Sequence, residues 1–388
     1  MKAFFDVFKR EVNKVKSRPF ILFLMIVWPL FMCFCLSYTF SQGAPVDLPI
    51  VAVDQDNTEI SRLILRMVDS TKTCKIKYRT TDIEESRKLL VSRKAYAIVY
   101  IPQDFTKNLK RGERPQLVYY YNNQMILVGG LINKDIATAI KTAIAGADAK
   151  IRMKKGTPKN VAIQKVNIVS VDEHIRANPY LNYSYFLSYT LFAHGFQVMI
   201  LFLGIWSFGI EFKEGTTKEW LKVANNSMTR AIFGKILFYT IVYTLLFALT
   251  MYIFVVVYGA PFHANIPFLL LSVVVFIVAY QMYGVMFIGL TGNLRKGFSF
   301  GAFFASLGFS LAGITYPTVS MPLGIRMYSS LLPIRPFVSL FVDQTLRGFQ
   351  PHYEFIYLRW LLFLILFTSC FIPLLKKKAE NENYWFKI

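Results

Sequence analysis

Residues 236–258 read ILFYTIVYTLLFALTMYIFVVVY, an apolar run with no charged residue, no Gly and no Pro. A helix rises about 1.5 Å per residue, so a run of this length crosses a hydrocarbon core of about 30 Å. Five further runs meet the same requirement: Phe20 to about Phe40, Tyr185 to Ile210, Ile266 to Leu290, Phe298 to Tyr316 and Phe355 to Leu375. The predicted fold is a membrane α-helical bundle of six transmembrane helices, with an α/β (mixed) extracytoplasmic domain inserted between spans one and two. Even parity puts both ends on one side.

Composition agrees. The chain is 54% hydrophobic with 36 Phe and 22 Tyr, and its mean hydropathy is +0.40, more apolar than a soluble domain of this length needs. The net charge of +21 is explained by basic flanks and anionic headgroups, and no nucleic-acid-binding pattern accompanies it. Of the four cysteines, Cys33 and Cys35 lie in the first run, Cys370 in the last and Cys74 alone outside, so neither a disulfide framework nor a thiolate metal site is expected.

Lys and Arg near the spans set the orientation. Lys2, Lys9, Arg10, Lys14, Lys16 and Arg18 precede the first span, and Lys376, Lys377 and Lys378 follow the last, placing both ends in the cytoplasm of a cell inner membrane. Lys213, Lys218, Lys222, Arg230 and Lys235 after span two, and Arg295 and Lys296 after span four, mark the same side. The first run can be read as a cleaved signal, but its length and long basic flank fit a retained anchor better. Residues 1–19, with Phe4, Phe5, Phe8, Val12 and Val15 at helical spacing, read as an amphipathic interfacial helix, the bland alternative being a basic tail. The expected divisions are 20–40 for span one, 41–180 for the extracytoplasmic domain, 185–375 for spans two to six and 376–388 for a cytoplasmic tail.

Between Ser41 and Pro179 short apolar strands alternate with polar helices. Strands are predicted at 48–53, 75–79, 95–101, 116–121 and 161–169, and helices at 58–69, 83–92, 105–109 and 124–151. Asp82 with Glu85 forms a capping-type start, and Gly112 ends the short helix. Asp54, Asp56 and Glu59 sit at a strand end and helix start, where carboxylates normally cap; neither they nor His174 has metal-ligand company.

Immediately after span two comes EFKEGTTKEWL, Glu211 to Leu221. Its polar residues, with Glu211, Glu214 and Lys218 on one side and Trp220 and Leu221 offering an apolar contact, suit a short helix that receives a push. Gly215 permits a tight turn and Thr216 can cap the helix after it. On spacing alone an ordinary charged loop reads equally well. Within the spans His194, Gln197 and Gln281 are polar groups that line a route or serve as interhelical glue. Phe192, Phe196, Phe202 and Tyr283 would suit an apolar cargo.

The stretch Glu211–Leu221 resembles the coupling loop of the ABC-2-type exporter permeases. Asp54-Gln55-Asp56-Asn57 with Ser61-Arg62, Ala97 to Phe105, and Ala312-Gly313-Ile314-Thr315-Tyr316-Pro317 with Met321-Pro322, Leu332-Pro333 and Arg347-Gly348 resemble further segments of that family, in order. Asn225-Asn226-Ser227 departs from it, since the family often has a Pro-containing turn there. The resemblance implies a coupling helix at 211–222 in which Glu211, Lys213, Glu214, Gly215, Thr216, Glu219, Trp220 and Leu221 meet an ABC ATPase. It also implies a second permease copy, giving a homodimer or a paralogous heterodimer. An outer re-entrant segment at 317–350 is implied too, broken at Pro317, Pro322, Pro333 and Pro336 and carrying Arg335 and Arg347.

No Gly-x4-Gly-Lys-Ser/Thr loop occurs, so ATP and Mg are expected on the partner ATPase, with no cofactor or metal bound by this chain. The function expected is a non-enzymatic permease subunit coupling ATP hydrolysis to efflux of a hydrophobic or amphipathic compound. The size of the extracytoplasmic domain suits a periplasmic adaptor and outer-membrane channel as further partners. The alternative is a non-transporting receptor or assembly protein using its extracytoplasmic domain.

Overall fold

The computed structural model describes residues 2–40, 43–113, 115–161 and 183–386. The chain divides into two compact units, Ala44–His174 and the remainder, Met1–Gly43 with Ile175–Ile388.

In the first unit the strands are β1 (Leu48–Asp54), β2 (Cys74–Thr80), β3 (Ala97–Ile101) and β4 (Val118–Tyr121). They form one sheet in the order β2-β1-β3-β4. β1 is parallel to β2 and β3, while β4 runs antiparallel to β3. Side chains alternate across a strand, which splits β1 between two cores. Ile50 and Ala52 pack with Ile64, Leu65, Val68, Ile132 and Ile136, from α3 (Glu59–Asp69) and, beyond α4 (Ile83–Val91) and α5 (Phe105–Arg111), the long α6 (Ile126–Lys154). Val51 and Val53 face the other way, against Ile83, Leu89 and Leu90. The helix starts have local causes: Thr58 accepts from Ser61 N in a reciprocal box, and Asp82 accepts from Glu84 N. Gly112 ends α5 with φ 87°. Asp54 and Asp56 are spent on such turns, Asp56 accepting from the Thr58 and Thr106 hydroxyls. The strand predicted at 161–169 and His174 lie, apart from Val161, outside the described residues.

The second unit begins with α1 (Lys2–Lys16) and α2 (Pro19–Thr39) and resumes with α7 (Tyr183–Glu214). There follow α8 (Thr217–Val223), α9 (Met228–Tyr252), α10 (Ile266–Thr291), α11 (Leu294–Leu311), α12 (Leu323–Ser330), α13 (Ile334–Val342), α14 (Pro351–Ser369) and α15 (Ile372–Ala379). Among the described residues five helical stretches are long and apolar enough to cross a membrane: Pro19–Thr39, Tyr185–Glu214, Met228–Val257, Ile266–Thr291 and Pro351–Ala379. α11, at the place of the predicted fifth span, ends at Leu311 rather than Tyr316. Arg295, Lys296 and the interleaved Gly and Ser residues lower its hydropathy.

α10 is the central member, buried along most of its length and packed on α7, α9, α11, α14 and α15. It approaches α7 closely because both helices are bare at the crossing. A Cβ built on Gly284 would lie 2.7 Å from the backbone carbon of Gly204. α9 widens after Tyr252 into a turn in which Tyr258 N donates to Ile253 O at 3.2 Å. The stretch 351–379 breaks at Cys370 and Phe371, because Pro373 cannot donate to the preceding turn.

The prolines of the 317–350 segment stand where they disturb a helix least. Pro322 and Pro333 are the capping residues of α12 and α13, Pro317 precedes a single tight turn at Thr318–Ser320, and Pro336 lies in the first turn of α13. The arginines there satisfy local carbonyls and one carboxylate. Arg326 donates to Val319 O at 2.8 Å, Arg335 to Arg326 O at 3.1 Å, and Arg347 to Asp343 Oδ1 at 2.6 Å.

Candidate functional site

α7 has 32 residues, about 48 Å of helix, so its last turns outrun a hydrocarbon core. There it meets α1, α8 and α9 in a node of charge. Glu211 is fully buried and receives a two-pronged hydrogen bond from Arg10, Nη1 to Oε1 at 2.7 Å and Nη2 to Oε2 at 2.9 Å. Lys14 reaches the same Oε1 at 3.0 Å, and Lys235, from α9, at 2.6 Å. Lys235 also donates to Ser207 O at 2.6 Å and stands 3.0 Å from Glu11 Oε2, an ion pair by distance with no hydrogen bond along it. Tyr239 Oη donates to the other Glu11 oxygen at 2.8 Å. One turn on, Glu214 pairs with Arg18 and, at 3.3 Å, with Lys14.

Three carboxylates thus face four cations, and the inner three members, Glu11, Glu211 and Lys235, are closed to solvent. A buried charge with one partner removed costs about 3–5 kcal/mol, so the geometry holds only if the elements carrying the partners stay docked. Among the α1 cations, burial lowers the Lys14 ammonium from its ordinary value against the pull of Glu211. For Arg10 burial acts in the same sense, but the Glu211 hydrogen bond and charge prevail and hold it above its ordinary value.

α1 enters the node by spacing. Ala3, Val7, Glu11 and Val15 recur every fourth residue and are its buried face, whereas Phe5 is exposed. The helix packs on α9 through Val7 at Gly234 and Phe8 against Phe238, so its buried stripe overlaps the predicted apolar face at Val15 and Phe8 while Phe5 stays outside.

The predicted coupling residues separate into an inner and an outer set. Glu211 and Glu214 point inward to the α1 cations. Trp220 and Leu221 are buried rather than offered to a partner: Trp220 Nε1 donates to Ala231 O at 3.2 Å, and Lys235 Nζ stands 4.9 Å from the ring centre. An indole has too large an apolar body to leave in water when the α7–α9 groove can hold it. Thr216 occupies the start of α8 but does not cap it; its hydroxyl donates instead to Glu211. Gly215 makes the turn with φ 66°. Lys213, Lys218, Glu219 and Lys222 are exposed and form the outward face. The Asn225-Asn226 departure is a left-handed turn, with φ 51° and 55°, which asparagine tolerates better than other side chains.

Arg10, Glu11, Lys14, Arg18, Lys235 and Tyr239 are node residues that the sequence did not assign to the site. A carboxylate within the Ala3-Val7-Val15 stripe, and a lysine inside the apolar α9, were the available signals.

The intramembrane polar residues divide as well. His194 Nδ1 lies 2.7 Å from Thr190 O and its Nε2 lies 3.3 Å from Gly308 O. Gln197 accepts from Tyr280, whose oxygen receives Ile334 N at 3.2 Å. Both line a cavity of about 490 Å³ among α2, α7 and α11, with Met32, Leu36, Phe202 and Phe309 on its walls. Gln281 is elsewhere, bonded to Thr240 at 2.9 Å.

No curated protein and no solved structure matches this chain. The family model described as ABC-2 family transporter protein matches residues 19–375, which takes in every long apolar helix, the sheet unit and the α7–α9 part of the node. On that match the chain belongs to the ABC-2 family of transporter proteins.

Proposed function

We propose that this chain is the permease subunit of an ATP-driven exporter, in which a separate ABC ATPase docks on the outward face of α8. One observation carries the reading: buried charge ties α7 and α9, which flank α8, to each other and to α1, and the α8 element reaches that charge through the Thr216 hydroxyl on Glu211 and the Trp220 ring beside Lys235. A displacement of α8 is thereby passed to membrane helices instead of being lost in a loop. The basic flanks favour a cytoplasmic placement for this end of the bundle in a cell inner membrane.

In this reading α11 completes six spans, a second copy of the permease, identical or paralogous, forms the other half, and ATP with Mg stays on the ATPase. The cavity beside His194 and Gln197, apolar but for those two groups and Ser306, suits a hydrophobic or amphipathic cargo. A periplasmic adaptor and outer-membrane channel would complete such a route in a cell with two membranes.

The test is co-purification in mild detergent, with Lys213→Glu and Lys222→Glu, both exposed, as the variants. The parent is expected to retain an ATPase that the double variant loses, both proteins inserting equally. An ATPase retained equally by both, or absent from the parent under several gentle conditions, overturns the docking assignment.

A further inference from the structure

The segment after α15 returns to the node. Phe386 N donates to Phe212 O at 2.9 Å, joining the segment to the last turn of α7. Lys218, on the outward face of α8, pairs with Glu382 at 2.5 Å and stands 5.1 Å from the Trp385 ring. At its other end Tyr384 stands 5.2 Å from Lys378 of α15, whose Nζ donates to Leu290 O, in the last turn of α10, at 2.5 Å.

Two glycines define how it sits. Gly215, φ 66°, lies directly under the Phe386 ring, so that a Cβ there would collide with Cζ. Gly292, φ 60°, lies under Tyr384, whose Cδ1 would be 2.5 Å from such a Cβ. One bare left-handed turn ends α7 and the other ends α10. Two aromatic residues of a single short segment cover both. Phe386 itself adopts φ 57°, unfavourable for a bulky side chain, and is largely exposed apart from its contacts with Phe212 and Gly215.

We infer that residues 382–386 are a strap that relays displacement of the α8 element to the α10–α11 turn, with Phe386 and Tyr384 as positioning residues. The inference rests on the proposed coupling role of α8. Without the strap, the node moves α1, α7 and α9, while α10 follows only through its lateral packing. With it, a push on α8 also acts on the end of the central helix.

The experiment has two arms on the full chain in detergent or liposomes. In the first, thermal unfolding is measured for Gly215→Ala, Phe386→Ala and the double variant. A ring over Gly215 predicts that Phe386→Ala restores roughly half or more of the Tm lost in Gly215→Ala, the remainder reflecting the left-handed backbone. Additive losses overturn the strap, whatever the partner. In the second, export per ATP hydrolysed is compared with ATPase co-purification. Phe386→Ala is expected to keep the ATPase and its turnover while export per ATP falls about tenfold, and Phe386→Tyr is expected to stay near the parent. Unchanged export per ATP in Phe386→Ala sinks the relay alone. Loss of the ATPase from Phe386→Ala makes the segment part of the docking surface and overturns the relay. A parent that never retains an ATPase fails the function on which the relay rests, and the relay with it.

Discussion

The ammonium of Lys235 stands 2.6 Å from the carboxylate of Glu211, and neither side chain is open to solvent. The two residues come from α9 and α7, so the contact closes the hairpin that holds α8. Glu11 of α1 stands 3.0 Å from the same ammonium, and the lysine therefore bridges two carboxylates, with Arg10 and Lys14 completing the charge balance on Glu211.

Replacing Lys235 by Met keeps the volume and removes the charge. The loss is expected to be about 3–5 kcal/mol, seen as a large fall in Tm in detergent. Adding Glu11→Gln should recover part of it, because Arg10 and Lys14 still neutralise Glu211. A double variant no more stable than Lys235→Met would show that the carboxylate pair is not the source of the loss.

Glu214 offers a contrast on the same helix. Its carboxylate and the Arg18 guanidinium are each about a third exposed, so solvent screens the pair. Glu214→Ala is expected to cost about 1 kcal/mol or less, against about 3–5 kcal/mol for Glu211→Ala. Equal losses in the two variants would contradict the burial difference.

Cys74 begins β2 against the sheet core, and burial pushes its thiol up to about 12 from an ordinary value near 9. The folded unit favours the thiol, so this contribution to stability is complete below pH 9 and declines as pH rises from 9 towards 12. At pH 8 Cys74 is expected to react with a thiolate-selective reagent about a thousandfold more slowly in the folded protein than after denaturation. Labelling at the denatured rate would place the thiol outside the core.

Periodicity made much of the fold legible. The apolar runs locate the membrane helices, and alternation between Gly, Asp and Pro punctuation locates β1 to β4 and the helices between them. Where the limits differ, chemistry outside the run decides: α9 begins at Met228, well before Ile236, because Lys235 finds carboxylates inside the protein and need not lie beyond the helix end. The charge node was not legible as a set. Arg10 and Glu211 are separated by 201 positions, and no local pattern pairs residues at that distance. Trp220 and Leu221 were legible as apolar members of α8, but the sequence did not tell whether that face meets a partner or the chain's own groove.

Trp220 separates fold from docking. It is among the largest fully buried side chains and carries both the Ala231 hydrogen bond and the contact with Lys235. Trp220→Ala is expected to lower stability by about 3–5 kcal/mol. Lys213→Glu with Lys222→Glu, on the exposed face, is expected to leave Tm within the range of ordinary surface substitutions, about 0.5 kcal/mol, while reducing ATPase retention. Trp220→Ala in contrast is expected to reduce retention only as far as its folded fraction falls, which measurement of both quantities at two temperatures would show. If Trp220→Ala abolished retention at a temperature where it remained folded, the indole would belong to the docking surface and the inward assignment of α8 would be wrong.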